Sequence, residues 1–135
     1  MSLLTISEVA RQVGVRPSAI RYYEQVKILP AAPRVSGQRK YGQGTVHQLA
    51  VLRRAQEAGF TLDEIRLLFF GFSKSTTISA RWRNMAAKKQ IELDAQIMRI
   101  QEMKDLLEKL ETRCQCDTVN QCASGTCSIR PSKKM

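Results

Sequence analysis

A long periodic stretch in the second half of the chain, predicted as one helix over residues 80–112, is the feature that most limits the fold. Apolar residues recur in it every three or four positions with charged residues between them, which is the spacing of a coiled-coil seam. A single helix cannot bury so narrow a stripe, so we expect it to pair with the same helix of a second copy. The stripe consists of Leu93, Ile97, Ile100, Met103, Leu107 and Leu110.

The beginning of the chain predicts two short helices joined by a tight turn. Thr5 and Glu8 have the spacing of a capping box, which opens a helix, and Gly14 ends that helix with a residue that adopts a left-handed conformation cheaply. Pro17 then stands where a first helical turn tolerates proline, and a second helix continues through Glu24. Helix, glycine-containing turn and helix together form the helix-turn-helix pattern.

The middle of the chain predicts a basic loop or hairpin followed by two more helices. Residues 31–44 are rich in glycine and basic side chains, which is typical of a loop or short hairpin. We expect Thr45 to cap a helix through Ala58, and the capping box Thr61-Leu62-Asp63-Glu64 to open a helix to about Phe70. Residues 71–79 are rich in glycine, serine and threonine, which predicts a linker. The fold class expected from these elements is mainly α.

The charge of the chain favours an anionic partner. The formal net charge is +10 over 135 residues, and the sequence pI is about 9.9. Nucleic acid is the first partner to consider for such a balance, and a basic helix-turn-helix followed by a basic loop points to double-stranded DNA.

Several function classes have no support in the sequence. We find no serine or cysteine nucleophile with a plausible histidine partner, no phosphate-binding glycine loop and no paired carboxylates, so an enzyme is not expected. His47, the only histidine, lies on an apolar helix and is expected to pack or be solvated. The N-terminus does not resemble a secretory signal, and no apolar run approaches the roughly 20 residues that span a bilayer. These features predict a cytoplasmic protein without a membrane partner.

All four cysteines lie in one polar stretch near the end of the chain, RCQCDTVNQCASGTC. Thiols in the cytosol stay reduced, so such a cluster predicts metal binding or redox sensing rather than disulfides. Soft thiolates select copper(I), silver, zinc, cadmium, mercury or iron–sulfur clusters over magnesium and calcium. Residues 113–135 are therefore predicted to form an effector-binding loop and tail, with Cys114, Cys116, Cys122 and Cys127 as candidate ligands.

Three stretches of the sequence carry a resemblance to a known family. TISEVARQVGVRPSAIRYYEQVKILP, a GQRKY wing and RRAQEAGFTLDEIRLLF closely resemble the MerR family of bacterial transcription regulators, and the long helix with terminal cysteines resembles its metal-responsive branch. One departure is that Lys27-Ile28-Leu29 stands where members often have Gly-Leu-Leu, which is expected to alter the turn after the recognition helix.

The resemblance implies a winged helix-turn-helix over residues 1–70 and an antiparallel coiled-coil homodimer through residues 80–112. It also implies a mechanism, in which the effector-bound dimer twists and bends promoter DNA so that RNA polymerase engages both promoter elements.

Candidate DNA contacts follow from where recognition helices and wings meet the duplex. Side chains at the start of the recognition helix reach base edges, whereas a basic wing grips the phosphate backbone. Tyr22 and Tyr23 are adjacent on a helix, so one is expected to pack and the other to reach a phosphate. The base-edge candidates are Arg16, Ser18 and Arg21, and the wing candidates are Arg34, Arg39, Lys40 and Tyr41.

Two features bear on which ion the cysteines sense. In the branch that the chain resembles, the divalent-metal sensors carry a cysteine of the partner subunit at the position of Ser79, and the copper(I) sensor carries serine there. This register favours a monovalent ion, copper(I) or silver, held two-coordinate between Cys114 and Cys122. The extra thiols Cys116 and Cys127 instead suit zinc, cadmium, lead or mercury. Cys127 is expected to contribute least, because it is farthest from the helix along the chain.

An iron–sulfur alternative also stays open. Cys-x-Cys-x5-Cys resembles the last three ligands of the family's iron–sulfur member, but Glu111 occupies the place of the fourth, so Cys127 would have to substitute. The remaining alternatives are a thiol redox sensor and a small organic effector.

Overall fold

The computed structural model describes residues 3–124, 127 and 129, and it is mainly α as predicted. The packing divides the chain into two compact units, residues 1–89 and 90–135. The helices are α1 (Ile6–Val13), α2 (Pro17–Gln25), α3 (Gln43–Glu57), α4 (Leu62–Phe70), α5 (Ile78–Arg113) and α6 (Val119–Ala123), and strands β1 (Arg34–Val35) and β2 (Gln38–Arg39) form one hairpin.

Helices α1 and α2 form the predicted helix-turn-helix. The backbone amide of Glu8 donates to the Thr5 hydroxyl over 3.2 Å, and that hydroxyl donates to the Glu8 carboxylate, so only half of the predicted capping box forms at α1. The full reciprocal box forms at α4, between Thr61 and Glu64. Gly14 ends α1 in the left-handed region at φ 80°, as its sequence context predicts.

The predicted basic loop is a two-residue hairpin. Arg34 pairs with Arg39 and Val35 with Gln38, and the turn residues Ser36 and Gly37 both have positive φ. Two positive φ values are the signature of the tight turns that match the twist of a hairpin. The hairpin is the wing of a winged helix-turn-helix.

Two predicted helix boundaries differ from the structure. Helix α3 begins at Gln43 behind the extended residue Gly42, so Thr45 lies inside its first turn rather than at its cap. Helix α5 begins at Ile78, two residues earlier than predicted, because the Thr77 hydroxyl accepts the backbone amide of Ala80. Neither boundary had a strong sequence signal, since glycine and threonine occur at several positions there.

The core of the first unit is built from α1 to α4 and the first turns of α5. Its largest fully buried side chains include Ile20, Leu49 and Ile65. Met85 of α5 is buried in the same core, and Trp82 lies with its ring centroid 6.0 Å from that of Phe60. The beginning of α5 is thus part of the packed first unit.

Three arginines each close the carboxyl end of an earlier helix. Arg53 donates to the carbonyls of Val13 and Gly14, and Arg66 donates to the carbonyl of Val26. Arg81 donates to the carbonyls of Leu68 and Phe69 over 3.1 and 3.2 Å. Cations stabilise helix carboxyl ends, so these three positive charges have a role within the fold.

The second unit exposes apolar residues along α5. Every residue from 90 to 113 is exposed in the single chain. The large apolar side chains among them include the whole predicted stripe, with Leu107 63% exposed. Residues this apolar are normally covered in a soluble protein, so the face from Leu93 to Leu110 has the character of an interface.

The turn after α2 contains a strained residue. Lys27 has a φ of 63°, in the left-handed region that glycine occupies without strain. The backbone amides of Ile28 and Leu29 both donate to the carbonyl of Tyr23, and these bonds hold the turn in place. A side chain at such a position costs the fold roughly 1 kcal/mol or more.

Lys27→Gly is therefore expected to raise the free energy of unfolding by about 1 kcal/mol. Urea unfolding followed by circular dichroism measures the change. Lys27→Ala is the matched control, because it removes the side-chain charge and keeps the strained Cβ. Equal stability of the glycine and alanine variants would contradict the account of strain.

Candidate functional site: a DNA-binding face and a thiol cluster

The start of α2 presents the predicted base-reading residues to solvent. Arg16, Ser18 and Arg21 are exposed. Tyr22 is 49% exposed, whereas Tyr23 is 8% exposed and its hydroxyl accepts a bond from the Gln56 amide over 3.4 Å. Tyr23 is thus the tyrosine that packs, and Tyr22 is the one left facing outward.

Glu24 connects the recognition helix to the wing. The sequence predicted no role for this residue. Its carboxylate accepts a hydrogen bond from the Tyr41 hydroxyl and lies 3.7 Å from the Arg39 guanidinium. Burial, together with the bond to Glu24, raises the pKa of Tyr41 to about 12. In the sequence, the only sign of this role is that Glu24 is an acidic residue between two basic segments, the recognition helix and the wing.

Tyr41 was predicted to contact DNA from the wing, but its side chain lies in the core. Its side chain is 2% exposed and belongs to the core, and its backbone pairs with Leu4. A phosphate contact through its hydroxyl is excluded in this arrangement, because the ring is covered and the hydroxyl is bonded to Glu24. The adjacent Lys40 is half-buried, and its backbone amide donates to the carbonyl of Pro33.

A surface cavity of about 530 Å³ lies between the start of α1, α2 and the wing. Arginines from α2 and from both strands of the wing line it, and the amino end of α1 adds its partial positive charge. Such a combination of guanidinium groups and a helix amino end suits an anion such as a phosphodiester. The lining residues are Thr5, Ile6, Ser7, Arg21, Arg34, Gln38 and Arg39.

The second candidate site is the set of four cysteines. Cys114 directly follows α5, Cys116 comes two residues later, and Cys122 lies on α6 rather than in the loop that the sequence predicted. Helix α6 forms because the Thr118 hydroxyl accepts the backbone amide of Gln121. The four sulfur atoms all lie within 4.8 Å of one another.

Cys127 joins this thiol cluster as its most buried member, at 9% exposure. The prediction that Cys127 contributes least depended on its distance along the chain. The fold brings its sulfur within 4.8 Å of each of the other three. Distance along the chain is therefore no longer a reason to expect the smallest contribution from Cys127.

The thiols influence one another's ionisation. The backbone amide of Cys116 donates to the Cys114 sulfur and lowers the pKa of Cys114. Removal from water raises the pKa of Cys116 to about 12, and the negative charge of Cys114 raises the pKa of Cys122. Cys114 is therefore the first of these three to become a thiolate, the form that binds metal.

The two sites define a class of protein. Winged helix-turn-helix folds place their second helix in the major groove, so the first unit is that of a DNA-binding regulator. The chain belongs to the MerR family: residues 4–69 match the model of the MerR HTH family regulatory protein, and residues 46–110 match the model described as MerR, DNA binding. This family consists of transcription regulators, which confirms that the chain is not an enzyme.

Relatives match along nearly the whole chain. The Uncharacterized HTH-type transcriptional regulator PA4778 of Pseudomonas aeruginosa is 34% identical over 92% of this chain and 99% of its own. Heavy metal-dependent transcription regulator 2 of Rhizobium meliloti is 31% identical over 93% and 90%. The structure of MerR from Bacillus megaterium in complex with mercury(II) superposes with a TM-score of 0.66 at 28% identity, over 88% of this chain and 94% of that one.

No helix in the described part of the chain is both long and apolar enough to cross a membrane.

Proposed function

We propose that the protein is a dimeric, metal-responsive activator of transcription. Residues 1–70 bind the promoter operator, residues 71–79 link them to the dimerisation helix at 80–112, and residues 113–135 bind the effector. The observation that carries the proposal is the set of four sulfur atoms within 4.8 Å of one another. The names of two relatives, a heavy metal-dependent regulator and a mercury-bound MerR, support the same effector class.

The distribution of positive charge supports a division of labour on DNA. Arg21 shares a cavity with Arg34 and Arg39, so we assign it to a backbone phosphate and not to a base edge. Arg16 and Ser18, exposed at the amino end of α2, remain the candidates for base edges. Tyr22 and Lys40 add backbone contacts at either side.

Arg16→Ala is accordingly expected to reduce the preference for the operator over random DNA, by about 1–3 kcal/mol. Arg21→Ala is expected to weaken binding to both DNAs and to flatten the salt dependence by about one unit of slope. Fluorescence anisotropy at several salt concentrations separates the two effects. Arg11→Ala, an exposed arginine on α1 outside the cavity lining, serves as the control. Interchanged effects of the first two variants would contradict the assignment.

The switch is proposed to act through the end of α5. A metal ion bound by the thiol cluster would join Cys114, at the end of that helix, to Cys122 on α6. Such a link orders residues 114–124 against the helix end and biases a two-state dimer. In the active state the dimer distorts promoter DNA so that RNA polymerase engages it, a step that takes place in the cytoplasm.

The iron–sulfur alternative is supported by the number of cysteines but not by their spacing in the fold. Iron–sulfur clusters divide four cysteines among several irons, and the cluster itself fills the space between the sulfur atoms. Four sulfurs within 4.8 Å of one another favour one ion over such a core. Visible absorption, iron and sulfide in protein purified without air would instead establish the redox function.

A promoter reporter tests the proposed function in cells. Expression from the operator promoter is expected to rise with at least one of copper, silver, zinc, cadmium, mercury and lead, and not with magnesium or calcium, because thiolates select soft ions. Absence of a response to every soft ion, with the protein present and bound to the operator, would refute a metal-responsive activator.

A further inference from the structure

We infer that the four cysteines of one chain bind a single metal ion together, as a complete four-thiolate site with a preference for soft divalent ions. The inference rests on the proposed function, and it names the coordination number and the class of ion. This site differs from two-coordinate binding by Cys114 and Cys122, and it uses no ligand from the partner chain.

The four sulfur atoms are arranged compactly. Four points that all lie within 4.8 Å of one another are never farther than about 2.9 Å from one common centre, which compares with metal–sulfur bonds of about 2.3 Å for zinc. Contraction by roughly half an ångström, within the reach of side-chain rotation, closes a tetrahedral site. An ion at this centre therefore lies within reach of all four thiolates, not of two.

The backbone places the ligands near one another. Two cysteines follow the end of α5, Cys122 is fixed on α6, and α6 is held by the Thr118 cap and by a bond from the Asp117 amide to the Gln121 side chain over 2.7 Å. Both bonds join residues no more than four positions apart in the chain. Cys127 then adds its sulfur to the other three and is the most buried of them.

The chemistry of the donor atoms also favours four ligands. A linear two-coordinate ion uses two thiolates and leaves two further thiols, whose sulfurs lie within 4.8 Å of the first two, with no role. Tetrahedral coordination by four thiolates is the arrangement that zinc adopts in closed protein sites, and cadmium and mercury share its preference for sulfur. The donor set thus favours soft divalent ions over copper(I) and silver, and it replaces the expectation drawn from Ser79.

The number of bound thiols tests the inference directly. Full-length dimer is titrated with cadmium(II) while the sulfur-to-metal charge-transfer absorption is recorded, and free thiols are then counted by alkylation and mass spectrometry. We expect one cadmium per chain and protection of all four cysteines. Cys116→Ser and Cys127→Ser are each expected to weaken cadmium binding at least about tenfold, since even outer-shell changes cost that much. Ser79→Ala is the control, and it is expected to leave cadmium affinity unchanged.

The other outcomes are distinct. Protection of only Cys114 and Cys122, with normal cadmium affinity in the Cys116→Ser and Cys127→Ser variants, would overturn the four-thiolate site and leave a metal-responsive activator standing. Weaker binding in Ser79→Ala would show that the partner chain contributes to the site, and would also overturn it. Failure of zinc, cadmium and mercury to bind at all would refute the four-thiolate site. The proposed function would be refuted with it only if copper(I), silver and lead also failed to bind.

Discussion

Replacing Cys114 or Cys122 by serine is expected to abolish the metal response while leaving operator binding without metal nearly intact. Serine has a similar shape but supplies no thiolate, so the ion loses a ligand that links the end of α5 to α6. The residues proposed to bind DNA all lie in the first unit, and the cysteines all lie in the second. The two functions should therefore separate in these variants.

Reporter expression and operator affinity, measured side by side, check this expectation. Asn120→Ala, an exposed change on α6 that keeps all four thiols, is the matched control and should respond to metal normally. A full metal response in the Cys114/Cys122 double variant would show that the effector binds elsewhere.

Charged residues at Ile100 and Leu107 are expected to convert the dimer into monomers. Both side chains are exposed in the single chain and belong to the apolar stripe of α5. Glutamates at both positions would put like charges into the seam and remove the apolar area that holds it together. The operator affinity should then fall by roughly 10²–10⁴-fold, because two linked half-site contacts become two independent ones.

Sedimentation and operator titration measure the two effects. Met98→Glu is the matched control, because it introduces the same charge on the opposite face of α5, which also carries Glu102 and Asp105. That variant should remain dimeric. A wild-type protein that sediments as a monomer at micromolar concentration would exclude the dimer altogether.

Local signals account for the parts of the fold that the sequence predicted well. The turn at Gly14, the capping box at Thr61 and the periodicity from Leu93 to Leu110 each involve residues a few positions apart. Such patterns specify helices and their ends without reference to the rest of the chain. The predicted mainly α fold followed from them.

Contacts between distant residues explain what the sequence could not predict. Tyr41 stands in a basic run and was predicted to contact DNA, yet it packs in the core because Glu24, seventeen residues earlier, accepts its hydroxyl. Arg53 and Arg66 add to the net positive charge, but each reaches a helix end 40 residues before it in the chain. The composition gives the charge of these arginines, but it does not show which groups they contact.

The thiol cluster shows the same limit. Its four members could be named from the sequence because cysteines in a polar segment have no place in a core. The relative contributions of the four cysteines could not be predicted, since they depend on where the fold places each sulfur atom. In the fold, the sulfur of Cys127 lies within 4.8 Å of those of Cys114 and Cys122.

Metal bound by the cysteines is proposed to change the state of the DNA complex and not its occupancy. In vitro transcription with purified protein, RNA polymerase and promoter DNA tests it most directly, with the operator saturated and its occupancy followed by footprinting in the same samples. We expect transcript to rise on addition of cadmium(II) or another soft ion while the footprint stays fully occupied, and not to rise with the Cys114/Cys122 double variant. Transcription that stays flat with metal, or rises only as occupancy of the operator changes, would contradict the account.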